Sequence, residues 1–355
     1  MGELVAEQPI VTASIATQRL HNQCLGGASH QQPEDVVSWF GAMQAQEYAS
    51  AAWGIGVRLR AAAASTIDEA FDAGRILRTH VMRPTWHFVL PADIGWMLQL
   101  TAPRVHRMMS STFRSFELDT VTSTRAAAVF EKVVAGGGFV TRAELSLALE
   151  REGITAKGIR LALLTVYAEL EGILCSGPRH GKHMTYASLS ARAARKSSFT
   201  RDEAIAALTT RYFRSHGPAT ARDFAWWSGL TSADVKRGLD IVRARSTIVD
   251  GLTYWTVGEA PRRPKGAGVH LLPNYDEYLV AYRDLVAVPR KAGIRGILQR
   301  ALVINGEIAG TWRADLRGGD CTIAVEPYRR LTNVERLQFP GAFTRYQRFI
   351  HQPAR

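Results

Sequence analysis

The feature that most constrains this chain is an order of elements met three times: helices, then two short strands around a turn. The second copy is the clearest. Ala127 to Val134 reads as a helix stopped by Gly136, Gly137 and Gly138. Thr141 and Glu144 form the capping-box pattern that opens the next helix. A third helix follows Thr155, Lys157 and Gly158, with Ile159, Leu163, Val166 and Leu170 at core spacing. ILCSGPRHGKHMTYASL then supplies two strands around a basic Gly-Pro turn. Helix, helix, helix, hairpin is the order of a winged helix-turn-helix.

The third copy repeats the plan. Arg201 to His216 is a helix cut off by Gly217-Pro218, and helices over Thr220 to Ser228 and Ser232 to Val242 flank Gly229. STIVDG and LTYWTVG form its hairpin. The first copy runs from about Ser14 to Pro103. A helical pattern spans Ser14 to Leu25. Pro33 opens a second helix with Val36, Phe40 and Met43 on one face, and Ala51 to Leu59 suits a third. Ser65 and Thr66 resemble a cap, and ILRTHVMRPTWHFVL reads as a hairpin. Beyond the Pro/Gly/basic linker Ala260 to Gly268 the pattern turns to strands. Asn305-Gly306 marks a tight hairpin, and a last helix is expected over Asn333 to Phe339. The fold class expected is therefore α+β, with tandem winged helices at 14–120, 121–196 and 197–260. A small C-terminal β-rich, barrel-like domain follows at 268–355.

Charge narrows the partners. The 355 residues carry a formal net charge of +12 without a basic tail, which favours a polyanion such as nucleic acid. Cys24, Cys175 and Cys321 are scattered and odd in number, so neither a disulfide frame nor a zinc site is expected, which fits a reducing cytoplasm. No signal peptide and no apolar run of membrane-spanning length is read from the sequence. Phosphate loops, nucleophile elbows and His-Glu-x-x-His motifs are absent. No metal or other cofactor is expected.

One short polar island remains, Met43 to Tyr48 (MQAQEY). Residues two apart share a face only in extended chain. If Gln44 and Gln46 act together, the backbone must leave the helix at about Gln44. Surface Gln-x-Gln on a helix is the plainer reading of the spacing. At the tip of the second hairpin, Arg179, His180, Lys182 and His183 could meet phosphates or form a solvated basic turn. Trp86 and His87 could line a pocket, although a satisfied core histidine suits His87 and His80 better. Asp276 beside Glu277 reads more readily as a cap or salt bridge than as a catalytic acid.

Four segments together carry more than any alone. QAQEY, RTHVMRPTWHFVLPADI (Arg78 to Ile94), LLPNYDEYLVAYRD (Leu271 to Asp284) and GTWR (Gly310 to Arg313) resemble the AlkZ/YcaQ family of winged-helix DNA glycosylases, over about residues 15 to 350. Gln44-x-Gln46 matches the AlkZ-like branch, where the other branch has Gln-x-acid. Leu285 departs from the pattern, standing where many relatives have a basic residue after Tyr-Arg-Asp. The resemblance implies excision of N7-alkylguanine and of bulky or crosslinked alkyl adducts from double-stranded DNA, with Gln44 and Gln46 at the catalytic centre. Gln46 would position water and Gln44 would assist at the sugar or base. Tyr48, Arg83, Trp86, His87, Arg179, Lys182, Asp276, Tyr278 and Arg313 are the further candidates for DNA contact or pocket.

The expected protein is a monomer in the cytoplasm, associated with the nucleoid. With no lysine beside the motif, a Schiff-base lyase is not expected. An open concave channel is expected rather than a narrow aromatic slot. The rival reading is a winged-helix DNA-binding protein without catalysis, such as a transcriptional regulator.

Overall fold

The computed structural model describes residues 12–26, 30–181, 183–193, 199–258, 268–285, 288 and 299–351. The first unit comprises α1 (Thr12–Asn22), α2 (Pro33–Phe40), β1 (Ala42–Gln44), α3 (Tyr48–Gly56), α4 (Ala64–Asp72), β2 (Leu77–His80) and β3 (Trp86–Val89). A 25-residue helix, α5 (Pro91–Ser115), carries the chain onward. It passes through Pro103, which the sequence suggested as a boundary. Buried Leu100, Ala102 and Val105 continue its apolar stripe across the missing hydrogen bond.

The second unit is α6 (Thr120–Val134), β4 (Val140–Thr141), α7 (Arg142–Arg151), α8 (Ile159–Leu170), β5 (Leu174–Ser176), β6 (Thr185–Ser188) and the single turn α9 (Leu189–Arg192). The Thr141–Glu144 capping box is formed. The third unit is α10 (Arg201–Ser215), α11 (Ala221–Ser228), α12 (Ser232–Ile241) and the hairpin β7 (Arg245–Val249) and β8 (Leu252–Thr256).

The last part holds β9 (Val269–Leu271), the short α13 (Glu277–Val280), β10 (Ala301–Ile304), β11 (Glu307–Arg317), β12 (Asp320–Pro327) and α14 (Asn333–His351). Its antiparallel sheet has the open order β12-β11-β10-β9, a half-barrel rather than a closed one. The β10–β11 turn places Asn305 at φ 51° and Gly306 at φ 87°, as an Asn-Gly hairpin requires. The final helix runs twelve residues past Phe339, through Pro340, because Tyr346 and Phe349 pack on Trp53. The linker read at Ala260 to Gly268 lies outside the described residues up to Ala267.

Two further expectations at the N-terminal end change. Ser65 and Thr66 fall inside α4, whose N-cap is Ala63, without a side-chain bond. Met43 is not on the α2 face, because α2 stops at Phe40. Gly41 takes φ 81°, and a β-carbon there would lie 3.0 Å from the Arg211 side chain. A left-handed turn at a crowded point leaves little room for another residue. Met43 therefore joins a strand.

The apolar residues form one cluster across the first unit and the C-terminal sheet. A second joins the first unit to α5 and the third unit, and a third cluster lies within the second unit. The β1-β3-β2 sheet divides the first two. Met43 and Phe88 face one, while Ala42, Leu77 and Val89 face the other. With both faces covered, the sheet is a rigid base for whatever projects from its end.

Candidate active site

Gln44 is the last residue of β1, and its Cα partner across the ladder is His87. Ala45 continues the pairing by donating its N–H to the Trp86 carbonyl at 2.7 Å. Burial then alternates: Gln44 is half-buried, Ala45 buried and Gln46 exposed. This is the period of extended chain, and it puts both glutamines on one face. The helix resumes only at Tyr48, after Glu47 at φ −109°, ψ 108°. The Gln46 N–H donates to Gln44 Oε1 at 3.3 Å, which folds the first amide back on the loop and leaves the second facing solvent.

Two distant residues fix this segment. Glu277, 1% exposed, accepts the Gln44 N–H at 2.6 Å on Oε1. Its Oε2 accepts Trp227 Nε1–H at 3.0 Å and His216 Nε2–H at 3.1 Å. Burial opposes ionisation of Glu277, but the His216 bond, the Gln44 N–H and the Arg83 charge hold its carboxyl down to about 2. His216 is itself pulled below the ordinary imidazole value by burial, against the opposing pull of Glu277. From the other side, Arg78 donates Nε–H to the Ala45 carbonyl at 2.8 Å and Nη2–H to the Gln46 carbonyl at 3.2 Å. Its guanidinium lies 4.2 Å from the Trp86 ring centroid. One anion thus holds the N–H side of the segment, and one cation holds its carbonyls.

The remaining candidates scatter. Tyr48 donates its hydroxyl to Asp68 at 2.9 Å and sits edge-on to Phe71 and Phe88. Arg83 lies on the β2–β3 turn, and its Nε and Nη2 are without solvent exposure or a partner among the described residues. Trp86 packs against His80 as well as Arg78. His87 is fully buried, and burial together with Arg83 pushes its imidazole down to about 3, so it stays neutral and moves no proton near pH 7. Arg179, expected at phosphates, turns inward to Asp68 and Asp72, at 2.9 and 3.1 Å. Lys182 lies outside the described residues.

Asp276 is a cap and salt bridge. It accepts the Tyr278 N–H and pairs both oxygens with the buried Arg58 at 2.8 Å. Tyr278, expected in a pocket, is instead fully buried, its hydroxyl bonded to the Gly306 carbonyl. Burying a phenol ring this way contributes stability, not contact with a ligand. Arg313 is exposed on β11 and paired with Glu326. The sequence reading missed Arg78, His216 and Trp227, and it passed over Glu277 in favour of its neighbour. The acidic pair was visible, but its partner Gln44 lies 233 residues away.

Among the described residues, no group of three or more histidines, cysteines or carboxylates could hold a metal ion. Among the described residues, too, no helix is long and apolar enough to cross a membrane.

Comparison with known proteins places the fold. A curated relative from Streptomyces sahachiroi, an interstrand DNA cross-link repair glycosylase, is 24% identical over 323 residues, covering 83% of this chain and 85% of that protein. The solved structure of Streptomyces sahachiroi DNA glycosylase AlkZ superposes with a TM-score of 0.79 at 19% identity, covering 98% of this chain and all of the other, so the fold is shared. The model of the family described as DNA glycosylase AlkZ-like matches residues 37–349, from within α2 to near the end of α14. With that match spanning most of its length, the chain belongs to the AlkZ-like DNA glycosylase family.

Proposed function

We propose that this protein is a monofunctional DNA glycosylase that hydrolyses the N-glycosidic bond of N7-alkylguanine and of bulky or crosslinked alkyl adducts in duplex DNA. The observation that carries the reading is the pair of glutamines on one face of an extended segment, held by Glu277 and Arg78. N7 alkylation makes the base cationic and weakens its bond to the sugar. The base leaves neutral and needs little proton transfer. What the protein must supply is a water near C1′ and dipoles that oppose the positive charge developing on the sugar. Gln46, its amide facing solvent, holds the water. Gln44, whose oxygen accepts the Gln46 N–H on one lone pair, keeps the other lone pair for the sugar or base. Rigid anchoring matters because dipoles that need not reorganise stabilise a transition state most.

We read the three helix-and-hairpin units as winged helices, at 14–120, 121–196 and 197–260, followed by the half-barrel domain at 268–355. Acting as a monomer, they cradle the duplex through Arg and Lys contacts to phosphate, which makes binding weaken steeply with salt. The name of the curated relative, an interstrand cross-link repair glycosylase, supports a bulky substrate.

The test is single-turnover excision of N7-methylguanine from a duplex, with abasic sites cleaved by alkali. Gln46→Ala should slow excision by roughly 10²-fold, the order seen for loss of one positioned polar group, while duplex affinity holds. A wild-type rate in that variant would sink the assignment. No strand cleavage by the wild-type protein, with a discrete operator found by footprinting, would favour a regulator instead.

A further inference from the structure

A cleft of about 1120 Å³ opens between the β2–β3 turn, α5 and the third unit. Its wall is Trp226, 52% exposed, whose indole N–H is tied to the Val280 carbonyl at 3.2 Å and fixes the ring. Arg83 lines the same cleft, with two guanidinium nitrogens buried and unpartnered among the described residues. Among the described residues that line it, Arg104, Arg222, Lys236 and Arg283 stand exposed, Arg283 at 4.0 Å from Asp284, and Asp240 is the one acid.

The cleft and the glutamines share their supports. Trp227, next to Trp226, bonds the same Glu277 that holds the Gln44 N–H, and Arg83 is four residues before His87, the partner of Gln44. The sequence reading found no aromatic slot. The fold builds a roomy one, from residues about 140 positions apart in the chain.

We propose that this cleft holds one unmodified nucleotide unstacked from the bound DNA next to the lesion, its base on Trp226 and its phosphate among the exposed Arg104, Arg222, Lys236 and Arg283. A fixed exposed indole ringed by cations is the pattern that binds single-stranded nucleic acid: stacking takes any base, and the cations take the backbone. Arg83, whose charge also acts on the buried Glu277, adds to the positive field of the cleft floor. The occupant is not the lesion itself. N7-alkylguanine is cationic, and five basic side chains repel it, whereas a neutral base arrives with its own negative phosphate. The inference rests on the reading that DNA is the substrate, and it adds a subsite that the glutamine chemistry does not require.

The test is the binding of a fluorescently labelled short oligothymidylate, single-stranded, to the full-length protein, followed by anisotropy. Undamaged duplex is measured in parallel. Trp226→Ala should weaken single-strand binding by about tenfold or more, the ratio implied by loss of one stacked base, and change duplex binding less than twofold. Trp226→Phe keeps a ring but not the N–H bond, and should retain most of the single-strand affinity. Unchanged single-strand binding in Trp226→Ala overturns the proposal. So does equal loss on both DNAs, or loss in Trp226→Phe as large as in Trp226→Ala, since either marks Trp226 as scaffold. The expected pattern in a protein that excises nothing would support the cleft and refute the reaction, so the two failures are distinct.

Discussion

Replacing Glu277 with glutamine tests the anchor of the candidate site most sharply. The carboxylate accepts on both oxygens: one N–H from Gln44, and one each from Trp227 and His216. A glutamine has one oxygen. If that oxygen stays with Trp227 and His216, its NH₂ group faces the Gln44 N–H, donor against donor, at a spacing of 2.6 Å in the native protein. The strand end must then shift, leaving a buried donor unpaired at a cost of about 1–3 kcal/mol, and the other two bonds lose their charge assistance.

A second route agrees in direction. The bonds from His216 and Gln44 hold the carboxyl well below its ordinary value, at about 2, so the folded protein favours the ionised group. Because the folded value is depressed, this stabilisation is complete above pH 4.5 and is lost as pH falls toward 2. Urea denaturation of both proteins across that range is the assay. Glu277→Gln should be less stable by about 1–3 kcal/mol at pH 7, and the gap should close in acid as the native glutamic acid becomes protonated. A gap under about 1 kcal/mol at neutral pH, or one that does not narrow in acid, would refute the reasoning.

Two other substitutions separate structure from catalysis. Asp276→Ala strands the buried Arg58 guanidinium and should cost about 3–5 kcal/mol in urea denaturation, with little relief from salt because both partners are inaccessible. Arg78→Met keeps an unbranched side chain of similar reach but removes the guanidinium from Trp86 and releases the Ala45 and Gln46 carbonyls. Single-turnover excision at saturating enzyme should fall by about tenfold or more, while the duplex Kd changes by less than twofold.

What could be read from the sequence was local. The period-2 argument required extended chain at Gln44 to Gln46, and the alternation of Gln44, Ala45 and Gln46 follows it. The Thr141 capping box and the Asn305-Gly306 turn depend on residues three or fewer apart, so their signals survive in one dimension. Boundaries set by packing did not survive. Pro103 looks like a stop because its missing N–H is local, whereas the stripe that carries α5 past it is tertiary. Tyr278 and Arg179 looked available because their partners, Gly306 and the Asp68–Asp72 pair, come from other elements. Glu277 could not be chosen over Asp276 without knowing which faced β1 and which faced Arg58. The cleft beside Trp226 was invisible for the same reason.

The long reach from Glu277 to Gln44 also sets an order of events during synthesis. The ribosome releases the glutamine segment early, but the carboxylate that orients its first amide emerges more than two hundred residues later. The His216 and Trp227 donors emerge in between, 61 and 50 residues ahead of their acceptor. At the N-terminal speeds typical of translation, roughly 5–20 residues per second, the delay is on the order of tens of seconds. A nascent or truncated chain ending before Glu277 could already display helices and basic hairpins to DNA, yet hold its two glutamines loosely. Competence to react would arrive last, as a property of the finished chain rather than of the unit that carries the motif.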